Sequence, residues 1–244
     1  MIGIFDSGIG GLSLYLKAKE KMPEKGFIYL SDDSNFPYGE KTEEEIRSLA
    51  RKNIQLLQDQ GARVVLIACN SATVSSRGKI RSEFDIPIIG VEPGIKMAKD
   101  FFPGKKTLVL ATKRTTKTHG EFKKEAYKDA RIVSASDLVD LVEADFPDIK
   151  KSDIKAIMDQ KMKGGEEVIV LGCTHYHLIQ DTLQELYPDK TFIAPEEAII
   201  RQLEKFSDYA KRNKNDIFLT TGDLEKFKTK LSVVNKGGVD VRKV

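Results

Sequence analysis

Cysteine and long apolar runs are both scarce in this sequence: two of the 244 residues are cysteine. No apolar run approaches the roughly 20 residues that a membrane-spanning helix needs, and no signal peptide precedes the first predicted strand. These absences predict a cytoplasmic protein with no membrane partner. A disulfide is unexpected in that reducing compartment, so Cys69 and Cys173 are each predicted to be a free thiol.

An excess of one charge is also missing, because 40 basic and 37 acidic residues leave a formal net charge of +3. The charges are spread along the chain, without the basic stripe and interleaved aromatic residues that would follow a nucleic-acid backbone. A nucleic-acid partner is therefore not expected. The 40% hydrophobic and 32% charged content is typical of a globular protein with one large core or two small ones.

Both cysteines follow apolar, β-branched segments of the kind that form buried parallel strands. Cys69 follows residues 64–68, and Cys173 follows residues 168–172. In each half an earlier apolar strand also ends in small hydroxyl or acidic residues. We interpret this pattern as an internal duplication of an α/β unit, with ligands expected at the carboxyl ends of the strands.

Predicted helices alternate with predicted strands, which favours a mainly parallel sheet in each half. The segment Thr42-Glu43-Glu44-Glu45 is a capping box and begins a helix that should run to about Gln60. The pattern predicts further helices for residues 12–22, 72–83, 117–128, 136–145, 152–163, 178–186, 195–212 and 223–230.

The expected fold class is α/β, with two similar domains related by pseudo-twofold symmetry and an active site in the cleft between them. The crossing into the second half is placed at residues 92–94, and the tail is expected to return to the first half. The predicted domains are therefore residues 1–92 with 197–244, carrying Cys69, and residues 93–196, carrying Cys173.

A glycine-rich turn, Asp6-Ser7-Gly8-Ile9-Gly10-Gly11, follows the first strand and can bring backbone N–H groups to an anion. Asp32 and Asp33 follow the next strand at about the distance of a ribose contact, so a dinucleotide site is one interpretation. Ser13, however, stands where the third glycine of that fingerprint would be. Asp6 would also repel a pyrophosphate, whereas it could hold an ammonium or orient a neighbouring acid or base.

A cysteine thiol has a pKa of about 8.5, which its surroundings can tune to make it a base, and its protonated form is an acid. One thiol on each side of a bound carbon would remove a proton from one face and deliver another to the opposite face. That operation inverts a stereocentre. Two alternatives stay open: nucleophilic thiol catalysis, which leaves the second cysteine unexplained, and zinc binding, for which the spacing matches no standard motif. The zinc ligands would be Cys69, Cys173, His175 and His177.

Four segments together resemble the signature segments of glutamate racemases, in the aspartate/glutamate racemase family: residues 6–12, 37–39, 68–73 and 172–176. Residues 217–223 resemble the family's closing segment, so the likeness covers nearly the whole chain. It implies a cofactor-independent, metal-independent enzyme that interconverts L- and D-glutamate and supplies D-glutamate for peptidoglycan. It also suggests a homodimer.

By the matching segments, Cys69 and Cys173 would be the acid/base pair, with Asp6 supporting the first thiol and His175 the second. Glu143 falls near the family's acidic position beside the second cysteine. The resemblance also implies a set of substrate-binding residues: Asp6, Ser7, Tyr38, Gly39, Asn70, Ser71, Thr174 and His175.

Departures from the family pattern cluster on the Cys173 side. His177 stands where the family usually has proline, residues 113–115 are more basic than the usual turn, and Glu143 lacks the expected flanking proline and glycine. An aspartate or broad-spectrum racemase, or a catalytically weakened relative that only binds its ligand, is therefore an alternative. For Tyr38, packing is the alternative to a hydroxyl aimed at substrate.

Overall fold

The computed structural model describes residues 1–76, 79–92, 94–122, 130–211, 215–234 and 240–244. The chain divides into two compact units. The first unit is Met1–Val91 with Glu196–Val244, and the second unit is Glu92–Pro195. Each division lies one residue before the boundary predicted from the sequence. Within the described residues, no helix has the length and apolar character needed to cross a membrane.

All strand pairs in the two units are parallel. In chain order the strands are β1 (Ile2–Asp6), β2 (Phe27–Ser31), β3 (Val64–Ile67), β4 (Ile88–Gly90), β5 (Thr107–Ala111), β6 (Ala130–Ser134), β7 (Val168–Leu171), β8 (Thr191–Ile193), β9 (Ile217–Thr220) and β10 (Asp240–Lys243). The sheet of the first unit has the order β10-β9-β2-β1-β3-β4, and that of the second has the order β6-β5-β7-β8. The order β2-β1-β3-β4 thus recurs in the second unit. The predicted α/β class with parallel sheets is confirmed.

Helices make the crossovers that parallel pairing requires. In chain order they are α1 (Leu12–Lys21), α2 (Glu43–Asp59), α3 (Asn70–Ser76), α4 (Ile95–Phe101), α5 (Lys113–Phe122), α6 (Ser136–Asp145), α7 (Lys151–Lys161), α8 (Thr174–His177), α9 (Gln180–Leu186), α10 (Glu196–Glu204) and α11 (Leu224–Val234). Short 3-10 turns lie at Asp33–Asn35, Tyr38–Glu40, Arg81–Glu83 and Ser207–Tyr209.

The predicted capping box begins α2. The Glu45 N–H donates to the Thr42 hydroxyl at 3.3 Å, and the Thr42 N–H donates to the Glu45 carboxylate at 2.8 Å. Ile46 and Ile54 are among the buried residues on the inner face of this helix, which packs against the first sheet. Asn53 is also buried on that face, and it is the polar exception to the apolar pattern.

Several predicted helix bounds are wrong. The helix expected over residues 72–83 begins earlier, at Asn70, and is described to Ser76; residues 81–83 form a 3-10 turn instead of continuing it. The helix expected over residues 195–212 ends at Glu204, because the chain tightens into a turn in which Phe206 N–H donates to Leu203 carbonyl at 3.0 Å.

Two further errors involve short helices. The helix expected over residues 178–186 begins two residues later, as α9 at Gln180, because Leu178 and Ile179 form tight turns in which each donates to a carbonyl three residues earlier. The single turn α8, which precedes them, was not predicted. α4 was not predicted, because its two buried side chains, Ile95 and Ala98, are too few to show a helical period. The helix expected over residues 117–128 is α5 where it is described, and residues 123–129 lie outside the described part of the chain.

Candidate active site

The two cysteines lie at the carboxyl ends of equivalent strands. Ala68 N–H donates to Phe5 carbonyl at 2.8 Å, which carries the pairing one residue past β3, and Cys69 follows. In the second unit, Gly172 N–H donates to Leu110 carbonyl at 2.8 Å past β7, and Cys173 follows. Both thiols are buried and free of disulfides. The repeated sheet order therefore delivers a thiol to the same topological position twice.

A chain of hydroxyl and carboxyl groups adjoins Cys69. Its thiol donates to the Ser7 hydroxyl at a sulfur–oxygen distance of 3.6 Å. The Ser7 hydroxyl in turn donates to the Asp6 carboxylate at 3.3 Å, and Gly8 N–H donates to the same oxygen at 3.2 Å. Asp6 is fully buried at the end of β1. Asp6, predicted to support Cys69, and Ser7, predicted to bind substrate, therefore form one connected set with that thiol.

Gly11 allows α1 to begin close to this set. A Cβ atom at Gly11 would lie 2.8 Å from the Cβ of Ala68 and 3.1 Å from that of Asp6. Distances this short are not tolerated between carbon atoms, so a larger residue would push α1 away from the ends of β1 and β3.

Tyr38 packs in the apolar core beside Cys69, and its hydroxyl donates to the Asp32 carboxylate. Asn53 donates to both groups, at 3.1 Å to Asp32 and 3.0 Å to the Tyr38 oxygen. Burial, together with the charge of Asp32, raises the pKa of Tyr38. Tyr38 thus combines the packing role with a hydroxyl bonded to protein. Its role as a substrate ligand stays a prediction.

Asp32 is the centre of this network and was missed as a site residue. Besides Tyr38 and Asn53, it accepts hydrogen bonds from the Asn35 amide and the Thr221 hydroxyl, each at 2.9 Å. These four protein donors occupy the carboxylate that the dinucleotide interpretation assigned to a ribose. Two signals could have identified the network: a carboxylate directly after β2, and a polar residue, Asn53, on the apolar face of α2.

The remaining predicted binding residues of the first unit also lie at strand ends. Gly39 is buried in the 3-10 turn that begins with Tyr38. Asn70 and Ser71 are the first residues of α3, in which every side chain is buried. Their roles as substrate ligands stay predictions.

In the second unit, Cys173 adjoins a histidine–glutamate pair. The sulfur lies 3.8 Å from Nδ1 of His175, and Nε2 of the same ring lies 2.8 Å from the Glu143 carboxylate. His175 is on α8 and Glu143 is on α6, so two helices that pack together supply this pair. Thr174, a predicted substrate ligand, is buried at the start of α8. The structure therefore brings Cys173, His175 and Glu143 together within the second unit.

The protonation of His175 is set by opposing effects. Burial disfavours the imidazolium, but hydrogen bonds to Cys173 and Glu143 and the charges of those groups raise the pKa of His175 well above its usual value. The ring is therefore suited to accept the thiol proton at Nδ1 while Glu143 stabilises the imidazolium through Nε2. A thiolate–imidazolium pair is a competent base, and the neutral pair is a competent acid.

The zinc alternative would need Cys173, His175 and His177 around one ion. The two rings bond to different partners instead: His175 to Cys173 and Glu143, and His177 through Nε2 to Leu171 carbonyl at 3.3 Å. Across the described ranges, no group of three or more histidine, cysteine, aspartate or glutamate side chains is placed to hold a metal ion.

Comparison with known proteins agrees with this geometry. The model of the Asp/Glu/hydantoin racemase family matches residues 14–203. A glutamate racemase of Clostridium perfringens (strain 13 / Type A) is 38% identical over 240 residues, which cover 91% of each chain. A glutamate racemase of Lactobacillus johnsonii is 31% identical over 240 residues, covering 93% of this chain and 90% of that relative.

Solved structures extend the likeness to three dimensions. The crystal structure of Escherichia coli glutamate racemase, in complex with L-glutamate and the activator UDP-MurNAc-ala, matches with a TM-score of 0.88 at 28% identity. The match covers 99% of this chain and 96% of that one. Glutamate racemase isoform RacE1 of Bacillus anthracis shares the fold with a TM-score of 0.86 at 24% identity, covering 100% of this chain and 97% of that one.

The family model spans most of the chain, and relatives above 30% identity match nearly all of it. The resemblance to glutamate racemases that the strand-end segments carry is thereby confirmed. The chain belongs to the Asp/Glu/hydantoin racemase family and is an isomerase, an amino acid racemase of the glutamate racemase type.

Proposed function

We propose that this protein interconverts L- and D-glutamate with Cys69 and Cys173 as a pair of acid/base groups and with no cofactor. One observation carries the proposal: each unit has a buried cysteine thiol, not in a disulfide and hydrogen-bonded to a polar partner, at the same position of the repeated sheet order. Two thiols in equivalent positions suit a reaction that needs the same operation on two faces of one carbon. The similarity to glutamate racemases supports glutamate as that substrate.

In the proposed reaction one cysteine is a thiolate and the other a thiol. The thiolate takes the α-hydrogen as a proton, so the carbon–hydrogen bond breaks and its electron pair passes into the adjoining carboxylate. The other thiol then gives its proton to the opposite face of the same carbon. The stereocentre is inverted, and the two sulfurs have exchanged protonation states, so the reverse reaction starts from the opposite arrangement.

Support for each thiol differs between the units. Asp6 would assist Cys69 through Ser7, whereas His175 would hold the proton of Cys173 and Glu143 would stabilise the resulting imidazolium. Both arrangements address the same difficulty, which is the low acidity of a hydrogen next to a carboxylate. Preorganised donors around the substrate must lower the energy of the carbanion.

The strand-end residues are proposed to bind the substrate's charged groups. Hydroxyl, amide and backbone N–H donors suit its two carboxylates, and Asp6 suits its ammonium. Because the Tyr38 hydroxyl donates to Asp32, we propose that this segment binds substrate through its backbone, at Gly39. The proposed substrate-binding residues remain Asp6, Ser7, Tyr38, Gly39, Asn70, Ser71, Thr174 and His175.

D-glutamate made in this way would supply peptidoglycan synthesis. This role is proposed from the similarity to glutamate racemases, of which the Escherichia coli enzyme has been solved with L-glutamate bound. A homodimer and a cytoplasmic location likewise stay predictions.

The direct test is racemisation by the purified protein after treatment with a chelator and without added cofactor. Circular dichroism is followed with each enantiomer of glutamate and, separately, of aspartate. We expect both glutamate enantiomers to reach the racemic mixture and aspartate to react far more slowly, since its side chain is one methylene shorter. Faster turnover of aspartate than of glutamate would mean that the shorter diacid is the preferred substrate. Binding of glutamate without turnover would indicate a non-catalytic relative.

A further inference from the structure

A second hydrogen bond, besides that of His175 to Glu143, joins α8 to α6. Tyr176 is fully buried, and its hydroxyl donates to Ala135 carbonyl at 2.9 Å. Ala135 immediately precedes α6, and Glu143 lies about two turns further along the same helix. Adjacent residues of α8 therefore attach to two separate points of α6.

The point that Tyr176 contacts is itself fixed. Ala135 N–H donates to Ala111 carbonyl at 2.9 Å, which ties the start of α6 to the end of β5. Ala135 carbonyl also accepts the N–H groups of Leu138, at 3.0 Å, and Val139, at 3.3 Å. Without the Tyr176 hydroxyl, this carbonyl would still be bonded within α6. Removing the hydroxyl thus breaks the link between helices without leaving a buried acceptor unpaired.

α8 depends on such links because it is a single turn, Thr174–His177. A helical turn of this length has almost no stability of its own. Its placement is therefore set by side-chain bonds to neighbouring elements: His175 to Glu143, Tyr176 to Ala135, and His177 to Leu171 carbonyl. Loss of one bond lets the turn shift relative to α6.

We propose that Tyr176 is a positioning residue of the racemase, which holds the start of α6 against α8 and so keeps the Glu143 carboxylate within hydrogen-bond reach of His175. The inference rests on the proposed role of His175 in assisting Cys173. It assigns a function to a residue whose hydroxyl is bonded to the protein and which takes no part in the proposed proton transfers.

The charged groups around His175 and Glu143 make the titration of His175 a measure of the proposed contact. Glu143 on α6 and Cys173 before α8 act on His175, and Asp137 and Asp140 on α6 act on the Tyr176 phenol together with Cys173. Burial alone would lower the pKa of His175, and its bonds to Glu143 and Cys173 raise it. A looser contact with Glu143 must therefore move the titration of His175 toward lower pH.

The variant Tyr176→Phe removes one oxygen atom and keeps the buried ring. The imidazole signals of its three histidines are followed by NMR as a function of pH, with a thermal melt to verify folding. We expect the midpoint of His175 to fall, and kcat to decrease about three- to tenfold, the factor that one neutral hydrogen bond supplies. KM should stay unchanged, because the hydroxyl does not bind substrate.

Tyr187→Phe is the matched control in the same unit. Its hydroxyl donates to the Asp159 carboxylate at 2.7 Å, away from the histidine–glutamate pair, so the midpoint of His175 should not move. Glu143→Gln should lower that midpoint directly, and adding Tyr176→Phe to it should lower it little further. Placing para-aminophenylalanine at position 176 restores an N–H donor and should restore the midpoint.

An unchanged midpoint in Tyr176→Phe would overturn the proposal, as would an equal shift in Tyr187→Phe or full additivity with Glu143→Gln. The titration requires no turnover. If the protein did not racemise glutamate, the proposed function would fail while the titration could still decide how Tyr176 acts on Glu143 and His175.

Discussion

The two units share a sheet order but surround their thiols with different chemistry. Next to Cys69 the partner is a hydroxyl, Ser7, which is supplied by the loop after the neighbouring strand. Next to Cys173 the partner is an imidazole, which is backed by a carboxylate from a separate helix. Topology therefore fixes where each thiol lies, whereas local residues fix what happens to its proton. An imidazole can change charge within the pH range of a folded protein and a serine hydroxyl does not, so the surroundings of the two thiols should respond differently to pH.

The residues that precede the cysteines differ in the same way. Ala68 precedes Cys69 and fits because Gly11 on the facing segment lacks a side chain. Gly172 precedes Cys173, and a Cβ atom there would lie 2.6 Å from Leu110 carbonyl oxygen. Each unit thus omits one side chain beside its thiol: the first at Gly11, at the start of α1, and the second at Gly172, which approaches the end of β5.

The largest effect is expected where the two sides are equivalent. Cys69→Ser and Cys173→Ser should each lower kcat by about 10²- to 10⁴-fold, the usual contribution of a general acid or base. Each variant should lose proton abstraction from one enantiomer of glutamate, and the affected enantiomer should be opposite in the two variants. Rates are followed by circular dichroism from each enantiomer, with melts to verify folding. A near-normal rate in either variant would show that one thiol suffices.

The next prediction separates the two sides. Glu143→Gln should lower kcat by about 10- to 100-fold, because it weakens a hydrogen bond to a charged group. Ser7→Ala removes the neutral bond between thiol and hydroxyl, and the bond that the hydroxyl donates to Asp6 is long at 3.3 Å, so kcat should fall less than about tenfold. The pH–rate profile should shift in Glu143→Gln and keep its shape in Ser7→Ala. A larger loss of kcat in Ser7→Ala would reverse the assignment of the charged partner to the Cys173 side.

The close contact between Gly172 and the Leu110 carbonyl gives a prediction about stability. Gly172→Ala should lower the free energy of unfolding by about 1–3 kcal/mol, since the added methyl group overlaps Leu110 carbonyl. The reciprocal change Ala68→Gly creates no clash and should cost about 0.5–1 kcal/mol through backbone entropy. Urea denaturation measures both. Equal losses of unfolding free energy in the two variants would mean that the contact after β7 does not require glycine at position 172.

The smallest expected effect is the pH dependence of stability. The folded protein raises the pKa of His175 above its unfolded value of 6.5, so the stabilisation from this group is fully present below that pH. It is lost as pH rises through the raised folded-state pKa. Glu143→Gln should flatten this loss in urea denaturation, by about 1 kcal/mol, and Ser7→Ala should leave it intact. The same slope in all three proteins would argue against a charged His175 pair.

Local patterns were enough to predict the strand-end positions of the thiols. Apolar β-branched runs mark β3 and β7, and a cysteine follows each closely, so the parallel sheets bring both to a carboxyl edge. The resemblance to glutamate racemases placed His175 and Glu143 each near Cys173, and the bond between them was not predicted. Residue patterns alone could not have supplied it, because the two residues are far apart in sequence and meet only when α6 packs on α8.

Long-range polar networks and short helices escaped prediction for related reasons. Asp32 gathers donors from Tyr38, Asn53 and Thr221, which come together only through tertiary folding. α4 and α8 are too short for their own periodicity or propensity to reveal them, since packing rather than local sequence stabilises them.

The two-thiol mechanism is tested most directly by hydrogen exchange during the first few per cent of reaction in deuterated water. Each enantiomer of glutamate is the starting material in turn, and the α-position of substrate and product is examined by NMR and mass spectrometry. Two one-proton bases predict deuterium in the product from the outset, while the remaining substrate keeps its proton. Deuterium entering the substrate as fast as the product, from either direction, would show that a single group serves both faces and would contradict the paired roles of Cys69 and Cys173.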